Sequence, residues 1–549
     1  MFGLTKFFAD FKSFFAALLS LIVAVSQGGP LALNIHGARS TPFSVYSYSF
    51  YAPTQKVMQD GTIDNNRTYT MYTAKNEYEF CQFAFRSKRS MGNTYFEITD
   101  FENKSGDVIS VEVYREYAVE TTGGVINTKY YDPLIPSEKS VCISTKSGYN
   151  YVYVIGVKTT ADTIPGDYTA TVKIGNKDNP DDKYDNETAT VKLHVWNFTL
   201  PDASSMDTAM GLEHYDIALM HGVAQGSSAC DELYKKYYDF MLEHRVSAYD
   251  MPYDILDSRA DAYMSDPRVK SFRIPYGSDE QITAYYNKLS QNPEWMAKGY
   301  FYPIDEPSTV ESINQYNAIC ERLSRLFPGY HMVTPFYVAD INGIDQSSLE
   351  IQNGKSDIIC PKSDLFSKKS FINVVRQRVE NGDKAWWYVC CDPRPDSDYC
   401  NLFVQQSGLK HRILFWQQKQ LDITGLLYWD VNFWRDAQLP DGSHANNVWE
   451  SSWTTPWTGD DTFGDGCLLY NGNHVGINGP VTSLRFESVV NGIEDYEYLV
   501  MADELFGEKE TDKILKKVTK DLTHYTYSYK AFDKVRTELG NRIEKAYNK

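Results

Sequence analysis

From about residue 40 to 200 the chain alternates apolar and polar residues in short runs, as at 69–86, 111–119, 151–159 and 188–196. These runs are rich in Val, Thr, Tyr and Phe and are separated by turn residues, the pattern of half-buried strands. Pro165-Gly166-Asp167 is a turn feeding a further strand from Tyr168. Short strands at this spacing predict a β-sandwich over 40–200. Around Leu200-Pro201-Asp202-Ala203-Ser204-Ser205 the pattern changes, which sets a domain boundary there and a second domain over 205–549. Strand-like runs then alternate with helical patterns, the runs lying at 208–212, 246–249, 271–275, 299–304, 330–335, 357–360, 384–390, 425–429 and 466–470. Helical spacing occupies 231–244, 279–290, the stretch after Ser308, 367–381 and 402–420. Such alternation predicts a (β/α)8 barrel with C-terminal helices. Nine runs are one too many for it, and 466–470 is the expected surplus. From Asn491 onward a helix presents Ile493, Tyr496, Leu499 and Val500 on one face, and the tail is expected to end charged and solvated.

Within this second region 299–304 is a short apolar and aromatic run that leads directly into Asp305, Glu306 and Pro307. Ser308-x-x-Glu311 then has the form of a capping box, and Ile313, Tyr316, Ile319, Cys320, Leu323, Leu326 and Phe327 recur at helical spacing. Two carboxylates therefore sit where a buried strand hands over to a helix. In a β/α architecture that is the strand's carboxyl end, the edge that carries the chemistry.

Composition narrows the partners. The 549 residues are 42% hydrophobic and 23% charged, values of an ordinary globular protein with more than one core. A formal net charge of −18 argues against nucleic acid and against an anionic membrane surface. Aromatic content of 14%, with 41 Tyr and 10 Trp, suits sugar rings stacking on aromatic planes and suits aromatic-rich β-domains equally. Residues 1–27 have the form of a secretory signal peptide or an N-terminal anchor, with Lys6 and Lys12 ahead of an apolar run at 14–25. The expected location is secreted or cell-surface, with membrane contact only through that segment if it is not cleaved. The nine cysteines include no metal-ligand spacing and are expected as mostly buried thiols with at most one disulfide. No metal or cofactor constellation is visible, nor a glycine-rich phosphate loop or a nucleophile elbow.

Adjacent acids on one regular strand point to opposite faces, so Asp305 and Glu306 converge only where the strand breaks into loop. Neighbours about 3.8 Å apart at Cα do not easily straddle a sugar as acid and nucleophile. They suit substrate assistance, in which the substrate's own 2-acetamido oxygen attacks the anomeric carbon. Asp305 would then stabilise the acetamido nitrogen as an oxazolinium forms, and Glu306 would serve as general acid and base. Alternatively the two acids only complement the positive end of the following helix.

The run F-Y-P-I-D-E-P at 301–307 is followed by A-W-W-Y-V-C-C-D-P at 385–393 and G-L-L-Y-W-D-V-N-F-W at 425–434. G-D-G-C-L-L-Y at 464–470 and S-L-R-F-E-S-V-V-N-G-I-E-D-Y-E-Y-L at 483–499 complete the series. In this order and spacing the blocks resemble the catalytic region of glycoside hydrolase family 123 and its relatives. A-K-N-E-Y-E-F-C-Q-F-A-F at 74–85 and P-G-D-Y at 165–168 resemble the β-sandwich that precedes it. The resemblance implies a retaining exo-acting N-acetyl-β-galactosaminidase, with Asp305 as stabiliser and Glu306 as acid/base. A different β-linked sugar such as β-GlcNAc, or a non-catalytic glycan-binding protein on an inherited barrel, are the competing expectations.

Trp387, Tyr388, Trp429, Asp430 and Trp434 fall at or after strand ends and are candidates to wall the sugar subsite, with Tyr388 reaching the acetamido oxygen. Glu213, His214 and Asn432 are candidates to hold sugar hydroxyls, and Tyr337 and Asp465 are weaker ones. Arg485, Glu487, Glu494 and Asp495 are expected to form a buried ion-pair network, and His411 and Arg412 to be structural.

Overall fold

The computed structural model describes residues 44–121, 128–337, 356–434, 449, 451–452 and 461–548. The expected signal or anchor at 1–27 lies outside them. Residues 45–549 form one compact unit, in which the change of pattern near residue 200 marks a change of architecture.

The first part is a pair of β-sheets. Tyr46–Tyr51, Tyr78–Ser87, Tyr151–Lys158 and Val111–Thr121 are neighbours in one sheet. Thr68–Lys75, Asn186–Thr199, Gly166–Asn176, Met91–Ile98 and Ser140–Thr145 follow one another in the other. Between them Phe83, Phe85, Phe96, Tyr153, Ile155, Val172 and Leu193 form a dry core, with Phe96 stacked on Tyr153 at 4.1 Å. The alternation expected across 69–86 fails in Tyr78–Ser87, where nine of ten residues are buried. Phe80 and Ala84 on the outer face pack with Val152, Val154 and Leu484, so the second region covers the face that a free sandwich would wet.

In that second region the sheet is parallel and its ladder returns to its start. Asp207–Met210 pairs with Gly425–Tyr428, and Met210 bridges Ala248 in the segment 246–249. The Arg273 N–H donates to the Tyr249 carbonyl, and Phe272–Arg273 pairs with Gly299–Tyr300. Phe301 bridges Met332, and Val333–Phe336 pairs with Ile358–Pro361. From there the ladder passes to Lys384–Val389 and to Gly425–Tyr428. We number these eight segments first to eighth in chain order. They are eight of the nine expected runs, and the surplus is the expected one. Tyr470–Asn471 pairs antiparallel with Pro480–Val481, outside the ring.

Period-two alternation sorts the side chains. Tyr249, Tyr300, Val333, Ile358, Cys360, Trp386, Tyr388 and Leu427 cluster inside the ring. Phe272, Phe301, Phe336, Ile359, Trp387 and Leu426 face the surrounding helices, in the large core that also takes in Trp196 and Phe198 from the sandwich. That core thus spans both architectures, while the sandwich keeps its own between its sheets.

Three expectations are corrected. The helix after Asp305-Glu306 spans Val310–Leu326, and its capping box is Thr309 with Ser312 rather than Ser308 with Glu311. The pattern at 402–420 is helical only over Gly408–Gln420, because Leu402, Phe403 and Val404 are buried against a loop, Val404 N–H donating to the Phe463 carbonyl. The last segment is solvated only at its very end, where Lys545, Tyr547 and Asn548 are exposed. The helix Leu484–Phe506 begins at a Ser483 cap and is buried almost all round, and Tyr529–Tyr547 packs Phe532, Leu539 and Ile543 inward. The charges of the first of these helices meet charged and backbone groups of the sandwich.

Candidate active site

Asp305 and Glu306 follow the fourth segment, where the chain has left the ladder and turns toward the helix Val310–Leu326. Glu306 adopts φ of +41°, a left-handed conformation that a residue with a Cβ holds only when its surroundings dictate it. That reversal is what lets adjacent side chains face one mouth. Asp305 lies at the rim and accepts a 2.7 Å hydrogen bond from the Tyr302 hydroxyl. Desolvation by the surrounding protein raises its pKa, and the Tyr302 hydrogen bond opposes the rise. The Glu306 carboxyl accepts a short hydrogen bond from Tyr388 at the end of the seventh segment. Its pKa is also raised, chiefly by desolvation and further by the charge of Asp305, while the Tyr388 hydroxyl pulls it down. A carboxyl whose pKa is raised by desolvation yet within reach of a stabilising hydroxyl is suited to give and then take a proton.

The Tyr388 hydroxyl, expected at the acetamido oxygen, is engaged on the Glu306 carboxyl. Next to it Lys362, ending the sixth segment, pairs with Asp392 and lies 3.7 Å from Asp364. The lysine's charge lowers the Glu306 pKa and that of Asp392 raises it. Lys362 and Asp392 escaped the sequence reading because no spacing links residues of two different strands; only ring closure brings them to Glu306.

On the other side of Asp305, the Tyr302 ring meets Tyr249 edge-on at 5.9 Å, and the Arg273 guanidinium lies 5.3 Å from the Tyr249 ring. Arg273 is bound to Asp250 through Nε and Nη2. His214 stacks on Tyr234 with ring centroids 3.6 Å apart, and burial lowers its pKa. Tyr234 in turn donates to the Asp250 carbonyl at 2.9 Å. An arginine in the strand run 271–275 was the available signal for this wall, and its alternation with Phe272 places it inside the ring.

The other candidates divide sharply. Trp429, after the eighth segment, is half-buried, and its indole N–H donates to the buried Asp465 at 3.1 Å. Desolvation pushes the Asp465 carboxyl up to about 7. Trp387 is corrected: it points away from the mouth, is fully buried and donates to Gln418 at 2.9 Å. A one-residue step along the strand swaps Trp387 for Trp386 and Tyr388, and the sequence pattern W-W-Y does not say which is inside. Trp434 is likewise structural, fully buried with its N–H on the Leu469 carbonyl at 2.9 Å. Asn432 spends its amide on Glu213, accepting from its N–H at 2.8 Å and donating to its carbonyl at 3.1 Å, so it braces the backbone before His214 rather than holding a hydroxyl. Asp430 is buried and accepts the Asn432 N–H. Tyr337 is exposed beside the mouth.

The expected ion-pair network is present and wider than foreseen. Arg412 and Arg536 share Asp495, with Nε to carboxylate distances of 2.6 and 2.7 Å, and reach Glu79 and Glu77 of the sandwich. Arg485 pairs with Asp132 at 2.9 Å. Glu494 accepts the Tyr78 N–H and faces Arg245 at 3.4 Å. His411 is buried against the Phe403 carbonyl. Nine described cysteines are free thiols, six of them buried. Among the described residues no group of three or more His, Cys, Asp or Glu side chains is placed to hold a metal ion. Among them, too, no helix is long and apolar enough to cross a membrane.

Residues 280–502 match the family model described as Glycoside hydrolase 123, catalytic domain. Among solved structures the chain is similar to a family 123 glycoside hydrolase from Clostridium perfringens, described in terms of glycolipid glycan hydrolysis. The TM-score is 0.67 at 14% identity, over 92% of this chain and 98% of that one. The chain also matches the PapD-like domain of human CEP192, with a TM-score of 0.17 at 10% identity over 32% of this chain and 94% of that one, too low to carry an argument. No curated protein matches the chain.

Proposed function

From the glycoside hydrolase 123 catalytic domain carried by residues 280–502, we propose that this enzyme is a retaining exo-glycosidase on a (β/α)8 barrel, releasing terminal β-linked N-acetylgalactosamine by substrate assistance. The observation that carries the reading is the convergence of Asp305 and Glu306 on one mouth, each with a raised pKa and each holding a tyrosine hydroxyl. Asp305 would accept the acetamido N–H, which makes the amide oxygen a better nucleophile. That oxygen attacks the anomeric carbon while Glu306 gives its proton to the glycosidic oxygen, and the aglycone leaves. Glu306, now ionised, takes a proton from water, and the water oxygen opens the oxazolinium at the anomeric carbon with net retention. Trp429, with Asp465 behind it, would wall the sugar. The apolar run at 14–25 supports export, so the substrate would be met outside the cytoplasm. A glycolipid glycan is a natural candidate for the carrier of that sugar, since the similar Clostridium perfringens enzyme is described in terms of glycolipid glycan hydrolysis.

The test is hydrolysis of aryl β-GalNAc, β-GlcNAc and β-galactoside substrates by the protein and by Glu306→Gln and Asp305→Asn. Each variant is expected to lose about 10²–10⁴-fold on the N-acetylated sugar. Cleavage of the plain galactoside would refute assistance, because it lacks the nucleophile.

A further inference from the structure

The Arg273–Asp250 pair has no part in the chemistry above, yet it stands inside the same mouth and ahead of the matched region 280–502. Phe272 faces the helices and Arg273 the ring interior, beside Tyr249. The geometry is a two-point fork, with Nε 2.9 Å from Oδ1 and Nη2 on Oδ2. A pair that only braces the fold is normally covered, but here the side chains are 33% and 37% exposed. Among the described residues Nη1 meets no hydrogen-bond acceptor, so one donor of the fork is left for a ligand. The pair is also held from behind: the Asp250 carbonyl takes the Tyr234 hydroxyl, and His214 stacks on Tyr234.

The position of the sugar follows from the acids. Glu306, beside Tyr388, faces the oxygen on C1, and Asp305, beside Tyr302, faces the nitrogen on C2. Continuing around the sugar in that direction leads away from Tyr388, past Tyr302 and Tyr249, to Arg273 and Asp250. We infer that Arg273 and Asp250 bind the hydroxyls at C3 and C4 of the terminal sugar and make the enzyme distinguish galacto- from gluco-configured N-acetylhexosamines. A hydroxyl accepts from the guanidinium and donates to the carboxylate, so one fork satisfies both of its capacities. Inverting C4 moves that hydroxyl off the fork, so its hydrogen bonds to Nη1 and to the Asp250 carboxylate are lost for the gluco-configured sugar. The inference rests on the assignment of Asp305 and Glu306 made above.

The experiment is the ratio of kcat/KM for aryl β-GalNAc to that for aryl β-GlcNAc, on the full chain and on Arg273→Lys and Asp250→Asn. Arg273→Lys keeps the charge beside Asp250 and removes the fork. The ratio is expected to fall roughly 10- to 100-fold in both variants, with the alkaline limb of the pH profile unmoved. A merely structural role would lower both substrates by one factor and keep the ratio, which overturns the inference, as does a ratio near unity in the unmodified chain. Should neither sugar be hydrolysed, or Glu306→Gln keep its rate, the assignment of the acids fails on its own account. The pair is then judged by calorimetric binding of free N-acetylgalactosamine and N-acetylglucosamine to the full chain. A preference for the first that Arg273→Lys abolishes supports it, and equal affinity, or no binding of either, overturns it.

Discussion

Tyr388→Phe removes one oxygen atom and, with it, the hydrogen bond to Glu306. Tyr388 is 4% exposed, so the ring stays packed and the change is local. The hydroxyl stabilises the ionised carboxylate and lowers its pKa against the rise caused by desolvation and Asp305. A hydrogen bond to a charged group contributes about 1.5–3 kcal/mol. Glu306 is half-buried, so screening by solvent brings the effect to the lower end. At about 1.4 kcal/mol per unit, its pKa rises by roughly one unit when the bond is lost. Glu306 acts first as an acid and must be protonated, so the alkaline limb of kcat/KM is expected to move up by about one pH unit. The assay is the pH dependence of kcat/KM on aryl β-GalNAc, with Tyr302→Phe beside it; that variant acts on Asp305 and is expected to leave the alkaline limb in place. An alkaline limb that stays put or moves down in Tyr388→Phe would refute the reasoning, because Glu306 would then not be the acid or Tyr388 not what tunes it.

Other expectations are separable by what they measure. Trp429→Ala raises KM on aryl substrates, whereas Trp387→Ala leaves KM unchanged and costs about 3–5 kcal/mol in denaturant unfolding, since the first ring is half-buried and the second in the core; equal effects on KM would contradict the placement of both. Asp495→Ala leaves Arg412 and Arg536 facing each other and is expected to destabilise by about 3–5 kcal/mol, with salt unable to restore it. Glu487, pushed up to about 8 by desolvation, keeps a proton that the unfolded chain releases near pH 4.3, so its contribution falls as pH rises from there to about 8. Glu487→Gln is therefore expected to be more stable than the parent above pH 8 and no more stable at pH 4; identical slopes of stability against pH would count against the buried acid.

What could be read from the sequence was local. The alternation of 188–196 gave a strand because a half-buried sheet imposes period two, and 151–159 gave one through its Val, Ile and Tyr content although both its faces are buried. The order of strand and helix patterns after residue 205 gave a parallel sheet, since neighbouring parallel strands need a crossover between them. The end of the run 299–304 gave the position of Asp305 and Glu306, and the excess run at 466–470 was recognised as lying outside the ring. Those properties are carried by a few consecutive residues. What depended on tertiary structure was orientation and company. Whether Trp386 or Trp387 faces the mouth turns on one residue of register, and both are equally apolar in the sequence. Lys362 and Asp392 reach Glu306, and Arg273 and Asp250 reach the tyrosines beside Asp305, only because the ladder closes and brings the ends of the second, third, sixth and seventh segments together with the fourth. The charges of 484–499 were expected to pair in a buried network, but their partners, Glu77, Glu79 and Asp132 of the sandwich and Arg536 of the last helix, are known only from the folded chain. Periodicity fixes an element because each residue sees its neighbours in the chain, whereas a site is made of residues that meet only after the chain has folded.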